Sequence, residues 1–426
     1  MAEDYTKMWS DLGLDLASHD ALLSFLGQAY GEIFVSQKDR PEGMKYFDFV
    51  MSEVHGLRVK ELRDAQAAGR KVIGSFCVFV PEELILAVDG ISVGLCTGAE
   101  FGFDLAEQYL PKNTCSLIKA AFGFKLGKVC PYIESVDMLV GENTCDGKKK
   151  SYEVMGELTD KLYVMDLPQT KSDSGRAMLK AEYRKFIAKL EEMIGKKINV
   201  TGLKRAIGIV NKKRQAVHRL SKLRAADPSP ISGKDALLIN QIFFYDDPVR
   251  FTGSVNKLCD ELESRIAEGA GVTPRKTPRI LLSGCPMAIP NWKIPVVVEN
   301  SGVVIVGEES CVGERGTRNL TADQGDSVDA LLDNIVDRYF QIDCAIFTPN
   351  ASRRNHIKEM AEMYKADGVI HYGLQFCQPY IIESGPIEKS LEKDGVPVLR
   401  IETDYGQEDM GQIKTRVEAF IERISN

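Results

Sequence analysis

Two stretches of this chain alternate short, β-branched apolar runs with segments of helical spacing, a pattern that points to parallel sheets wrapped by helices. In the first, Lys71–Phe76, Ile91–Leu95 and Asp137–Gly141 read as strands, a helix opens at Pro81, and another spans Ser116–Lys125. In the second, the strand candidates are Arg279–Leu282, Val303–Val306, Ala345–Thr348, Gly368–Tyr372 and Val396–Ile401. Ser327–Phe340, Arg353–Lys365 and Gln412–Ile424 are the helices between or after them. A charged helical segment, as in Ala177–Ile194 and Leu203–Ala225, separates the two stretches and breaks at Ala226–Gly233. Ahead of the first, Met44–Ala68 sets Phe47, Val50, Val54, Leu57 and Leu62 at helical spacing. The expectation is an α/β chain: a helical arm (1–70), a Rossmann-like parallel-sheet domain (71–168), a helical segment (169–275) and a second Rossmann-like domain (276–426). The two α/β halves are candidate structural repeats.

The 54 Lys and Arg are outnumbered by 61 acidic residues, which argues against nucleic acid as the main partner. The acidic start MAEDYTKMWSDLG lacks the basic and apolar regions of a secretory signal. No run approaches the ~18 apolar residues that crossing a bilayer needs; the most apolar, Val72–Val88, is broken by Pro81, Glu82 and Glu83. A cytoplasmic location without membrane contact is expected. In a reducing compartment the ten cysteines are core residues, nucleophiles or metal ligands rather than disulfides.

Their positions narrow that choice. Cys77 and Cys96 directly follow strand candidates, Cys115 opens a helix, and Cys145 follows DMLVGENT. Cys285 follows RILLSG, Cys311 follows VVIVGEES, and Cys377 follows GVIHYGLQF. In an open parallel sheet this carboxyl edge is where ligands bind, and helix N-termini there favour thiolates. These seven are therefore read as sharing a metal site. Cys259 on a helix and Cys344 at a strand start read as structural, and Cys130 in VCPYIES is ambiguous. No C-x-x-C pair is present, which disfavours zinc ribbons, simple ferredoxin motifs and thioredoxin-type sites. Widely spaced single thiolates suit a large iron–sulfur cluster between domains.

Other motifs carry less. No G-x-G-x-x-G follows a strand, and GFKLGKV falls short of a P-loop, so no nucleotide site is expected in this chain. His371, close before Cys377, and Glu83, a few residues after Cys77, are candidate proton donors beside a cluster. Lys148 and Lys149, after Cys145, could stabilise an electron-rich cluster or an anionic substrate; a solvated charge run is the alternative.

SFCVFVPEELILAVDGISVGLCTGAE, LPKNTCSLIKAAFGFKLGKVCPY and GENTCDGKKKSYE resemble the 2-hydroxyacyl-CoA dehydratase and benzoyl-CoA reductase superfamily. SGCPMAIP, EESCVGERG and YGLQFCQPYIIES extend the resemblance through the second half. In cysteine number the chain most resembles the double-cubane cluster proteins, in which two [4Fe–4S] cubanes joined by a sulfide form an [8Fe–9S] cluster. The resemblance implies that Cys115, Cys145 and Cys377 match the trio that holds a single cubane in the dehydratases. A second trio then comes from Cys77, Cys96, Cys285 and Cys311, with Cys130 as an outsider. It also implies a homodimer, and a separate ATP-hydrolysing [4Fe–4S] activator, so that ATP binds on another chain. The implied function is an ATP-dependent, low-potential reductase component acting on a small molecule. The alternatives are a dehydratase subunit with one [4Fe–4S] cluster and a non-catalytic electron-transfer protein.

Overall fold

The computed structural model describes residues 4–425. Met1–Glu3, in the acidic start, and Asn426 lie outside the described residues. The first sheet contains β1 (Val72–Ser75), β2 (Ile91–Gly94), β3 (Met138–Asn143) and β4 (Leu162–Asp166), all parallel, in the order β2-β1-β3-β4. The second contains β5 (Arg279–Gly284), β6 (Val304–Glu309), β7 (Gly368–Leu374) and β8 (Val398–Thr403), all parallel, in the order β6-β5-β7-β8. The two halves thus share one topology. In each, the chain reverses its direction of travel across the sheet between the first and third strands, at β1/β3 and β5/β7. That reversal opens a crevice beyond the carboxyl ends of those strands. Every residue of β5, β6 and β7 is buried, as strands covered on both faces must be.

Three expectations change. β4 is an edge strand outside the expected set: Leu162–Met165 is apolar, but Val164 is exposed and only Met165 is buried. Ala345–Thr348 is not a strand but part of the loop before the helix Ala351–Met363. Ile346 and Phe347 are buried in that loop, and Phe347 packs edge-on against Phe79 and Phe340, which makes a buried loop read like a strand. The loop is pinned by Asp343, which accepts from Ser352 Oγ at 2.7 Å and pairs with Lys171, His356 and Arg318. Met44–Ala68 splits into Met44–Ser52 and Leu57–Ala67, where the Glu53 carboxylate accepts the Leu57 N–H at 3.1 Å.

The helix Gly233–Ile242, buried at every residue except the part-buried Lys234, joins the halves. Gln241 Nε2 donates to the Met287 carbonyl at 2.7 Å, while Gly94 N–H donates to the Phe244 carbonyl at 2.8 Å. The N-terminal helices share this core: Phe34 stacks edge-on with Trp292, and Leu22, Met44 and Phe47 lie in one buried cluster with Leu139, Ile239 and Ile280. The two carboxyl edges touch at Gly98, whose N–H donates to the Ile289 carbonyl at 2.9 Å. A Cβ on Gly98 would lie 2.2 Å from the Ala288 carbonyl oxygen, so only glycine permits this approach.

Gly98→Ala is therefore expected to lower the urea unfolding midpoint by an amount worth ~1–3 kcal/mol. Gly208→Ala, in the helix Val200–Leu223 with open space around its Cβ, is expected to be neutral or stabilising by ~0.5–1 kcal/mol.

Candidate metal centre

Because all strands of a parallel sheet end on one side, their following loops converge, and here the two sets of loops face each other. They enclose a cavity of about 110 Å³ whose wall carries Cys77, Cys96, Cys115, Cys145, Cys285, Cys311, Cys344 and Cys377. All seven cysteines singled out in the sequence lie here, and Cys344 joins them. Cys130 caps the short helix Pro131–Ser135 within the core, and Cys259 is fully buried on the helix Pro248–Ala267.

Cys115, Cys145 and Cys377 are the N-cap residues of the helices Ser116–Leu126, Asp146–Leu158 and Gln378–Lys393. A sulfur at that position meets the positive end of the helix dipole. Phe376 adopts a left-handed φ of 65°, turning the chain from β7 into the helix that Cys377 caps. The thiols fall into two groups. Cys377 interacts electrostatically with Cys115, Cys285 and Cys145. Cys77, Cys96 and Cys344 lie beside Cys311. The first group is the outer one: Cys115, Cys145 and Cys377 also border a surface groove of about 640 Å³, and Cys145 borders a second of about 490 Å³. Cys77, Cys96, Cys311 and Cys344 border neither groove.

Burial pushes the Cys96 thiol up to about 12 and the Cys344 thiol up to about 11, and raises Cys77 well above its ordinary value. Cys96 Sγ donates to the Phe76 carbonyl at 2.8 Å, and Cys285 Sγ accepts from Leu374 N–H at 3.4 Å. Lys148 lines the cavity with Nζ 3.4 Å from Glu142 Oε2, while Lys149 is exposed and lies outside the wall. Burial opposes the Lys148 charge, but Tyr152, Glu142, Cys77 and Cys96 outweigh it and hold its pKa well above the usual value.

Among the described residues no three His, Cys, Asp or Glu close on a single metal ion. A cluster sets a different condition, because each thiolate binds its own iron. Eight soft sulfur donors around a largely apolar cavity fit an iron–sulfur cluster.

The two proton-donor candidates sit elsewhere. His371, within β7, is buried and outside the cavity wall, with Nδ1 lacking a hydrogen-bond partner. Burial, reinforced by Arg353, lowers its pKa to about 3, so at neutral pH it holds no proton to give as a cation. Glu83 is fully buried between helices: Oε1 accepts from Arg214 at 2.7 Å and Thr321 at 2.8 Å, and Oε2 accepts from Tyr339 at 2.7 Å. Burial raises its pKa, but Arg214, Arg338 and Tyr339 prevail and hold it at about 2. It is an ionised clamp rather than a relay.

Cys344 escaped the sequence reading because the loop carrying it looked like a strand. The shared topology supplies the missing signal. Cys77 and Cys285 follow the first strand of each half, Cys96 and Cys311 the second, and Cys145 and Cys377 the third. Cys115 precedes a helix on the way to β3, and Cys344 precedes one on the way to β7, so the fourth position is filled in both halves.

Two doubly wound sheets closing on a thiol-lined cavity define a two-lobed α/β protein with its ligand site between the lobes. The chain belongs to the family described as 2-hydroxyglutaryl-CoA dehydratase, D-component, which matches residues 77–424. It is 36% identical to the Escherichia coli (strain K12) protein named "Putative dehydratase subunit YjiM", over 85% of this chain and 93% of that one. It is 26% identical to the (R)-phenyllactyl-CoA dehydratase beta subunit of Clostridium sporogenes, over 89% of this chain and 99% of that one. It is also 22% identical to a benzoyl-CoA reductase subunit of Thauera aromatica, over 83% and 91% of the two chains. No helix among the described residues is long and apolar enough to cross a membrane.

The Glu83 clamp gives a pH signature. Its folded pKa of about 2 lies below the ordinary 4.5, so its stabilisation is full above pH 4.5 and fades as pH falls through 2. Glu83→Gln strands Arg214 without its counter-charge and is expected to cost ~3–5 kcal/mol at pH 7 by urea denaturation. The gap between wild type and variant should narrow as the pH is lowered from 5 towards 2.

Proposed function

We propose that this chain is the cluster-bearing reductase component of a two-component, ATP-dependent system, working as a homodimer on a small-molecule substrate. The observation that carries the reading is the gathering of eight cysteines, in two adjacent groups, on one cavity. A sulfide-bridged pair of cubanes needs three thiolates on each side. In this reading Cys115, Cys145 and Cys377 serve the outer side, and Cys77, Cys311 and Cys344 the inner. Cys96, whose thiol donates to the Phe76 carbonyl, and Cys285, which accepts from a backbone N–H, support the ligands.

When bound, the [8Fe–9S] cluster supplies low-potential electrons and a position at which a substrate can exchange. The chain's own part is to hold and shield it. The three helix N-termini stabilise thiolate at the outer trio. The apolar side chains around the cavity, Val78, Leu117, Ile118, Val312 and Leu374 among them, limit water. Asp343 fixes the loop that brings in Cys344. The groove beside Cys115, Cys145 and Cys377 offers the outer trio to a separate iron–sulfur ATPase as electron donor.

One observation favours a second reading. The alignment to the phenyllactyl-CoA dehydratase beta subunit runs over nearly that protein's whole length. A dehydratase subunit with a single [4Fe–4S] cluster on Cys115, Cys145 and Cys377 is that alternative.

Iron and acid-labile sulfide on anaerobically purified protein separate the two. The reductase reading expects about eight irons and nine sulfides per chain, the dehydratase reading about four of each. Protein that binds no iron after anaerobic reconstitution overturns both. Cys344→Ser is expected to lose about half the iron, whereas Cys259→Ser, in the core, should lose none.

A further inference from the structure

The two thiol groups sit in different electrostatic surroundings. Arg315 is buried beside the inner group, with Nη1 3.6 Å from Cys311 Sγ and hydrogen-bonded to the Tyr380 hydroxyl, which is 4.0 Å from Cys344 Sγ. Its other donors grip Glu309, Nε to Oε1 at 2.7 Å and Nη2 to Oε2 at 2.8 Å, so the guanidinium is fixed with Nη1 turned to the sulfur and the Tyr380 hydroxyl. Lys148 reaches the cavity wall from the other half, beside Cys77 and Cys96, with Nζ 3.4 Å from Glu142 Oε2. The cation on the groove that borders Cys115, Cys145 and Cys377 is Lys150, which is exposed and paired with Glu153. Helix N-termini do face the outer trio, but they carry only partial charges, and the groove admits water that screens them. The inner cations are largely buried and paired, Arg315 with Glu309 and Lys148 with Glu142, but in apolar surroundings the field each pair leaves at the sulfurs is less attenuated than at the groove.

A cation beside an iron–sulfur group stabilises the form that carries the extra electron. We infer that Arg315, assisted by Lys148, is a positioning residue that selectively raises the reduction potential of the inner half of the site, making it the half where added electrons reside. With the cluster bound, Cys115, Cys145 and Cys377 would hold the half nearer the groove and Cys77, Cys311 and Cys344 the half beside Arg315, so that one electron from an external donor would come to rest on the inner side. The inference rests on the two-cubane reading above.

The test is an EPR-monitored redox titration of anaerobically loaded protein, with iron content measured on the same samples. Wild type should give two midpoints. In Arg315→Gln the higher one should fall far enough to lower the reduced fraction at fixed potential about tenfold, about 59 mV for one electron, with the lower midpoint unmoved. Arg315→Lys, which keeps the charge but loses the fork, should restore most of that shift even if it unfolds more easily. Lys148→Gln should move the same midpoint in the same direction, and decides the matter if Arg315→Gln does not fold. Equal movement of both midpoints, movement of the lower alone, or no movement in iron-replete variants overturns the inference and leaves the two-cubane reading intact. A wild-type protein with four irons or none overturns that reading itself.

Discussion

The constraint on which this molecule depends is that every strand of a parallel sheet ends on one edge. Loop backbone and helix N-termini accumulate there, an electropositive rim that cannot be packed as an ordinary core. This chain builds two such edges and sets them face to face, so that each covers the other. Contact is close where Gly98 meets the Ala288–Ile289 backbone, and the halves are tied behind the gap by the buried helix Gly233–Ile242 through Gln241 and the adjoining Phe244 carbonyl. What remains between them is a small space bordered by side chains that follow the strands, eight of them cysteines.

Buried ion pairs stiffen the surroundings of that space. Glu82 and Glu83 meet Lys213 and Arg214, Glu308 meets Arg224, and Glu309 meets Arg315 and Arg353. Burying such pairs gains little stability over an apolar core, but each fixes direction, since removing one partner strands a charge. The adjacent glutamates at the end of β6 show the result. Glu308 turns to the helix Val200–Leu223 and its C-terminal neighbour Arg224, and Glu309 turns to Arg315, so the loop bearing Cys311 leaves the strand with little freedom. Preorganisation of this kind fixes where the thiol-bearing loops leave their strands without help from short motifs such as C-x-x-C.

The common strand order gives the site an internal logic. Four topological positions recur in both halves, and each carries a cysteine in each half. Two matching pairs stay together, Cys145 with Cys377 and Cys96 with Cys311, and two are split, so the outer thiol group draws Cys115 and Cys145 from one half and Cys285 and Cys377 from the other. The inner group likewise mixes Cys77 and Cys96 with Cys311 and Cys344. A duplicated scaffold has thereby produced one asymmetric centre.

Local sequence was enough for the architecture. Seven of the eight strands announced themselves as short apolar runs, as strands of a largely buried parallel sheet should; β4, most of whose residues are part-exposed, did not. The positions of Cys77, Cys96, Cys115, Cys145, Cys285, Cys311 and Cys377 relative to those strands were equally legible, since the carboxyl edge follows from strand direction alone. Tertiary packing decided the rest. Whether Cys344 joins the wall depended on a loop whose buried Ile346 and Phe347 imitate a strand, and whose course is set by Asp343 reaching Lys171 and His356. Whether Lys148 or Lys149 faces the thiols depended on the rotation of one helix, and whether His371 and Glu83 could reach them depended on which sheet face and which helix they pack against. Spacing along a chain records which edge a residue reaches; the direction its side chain takes from there is fixed by partners far away in sequence.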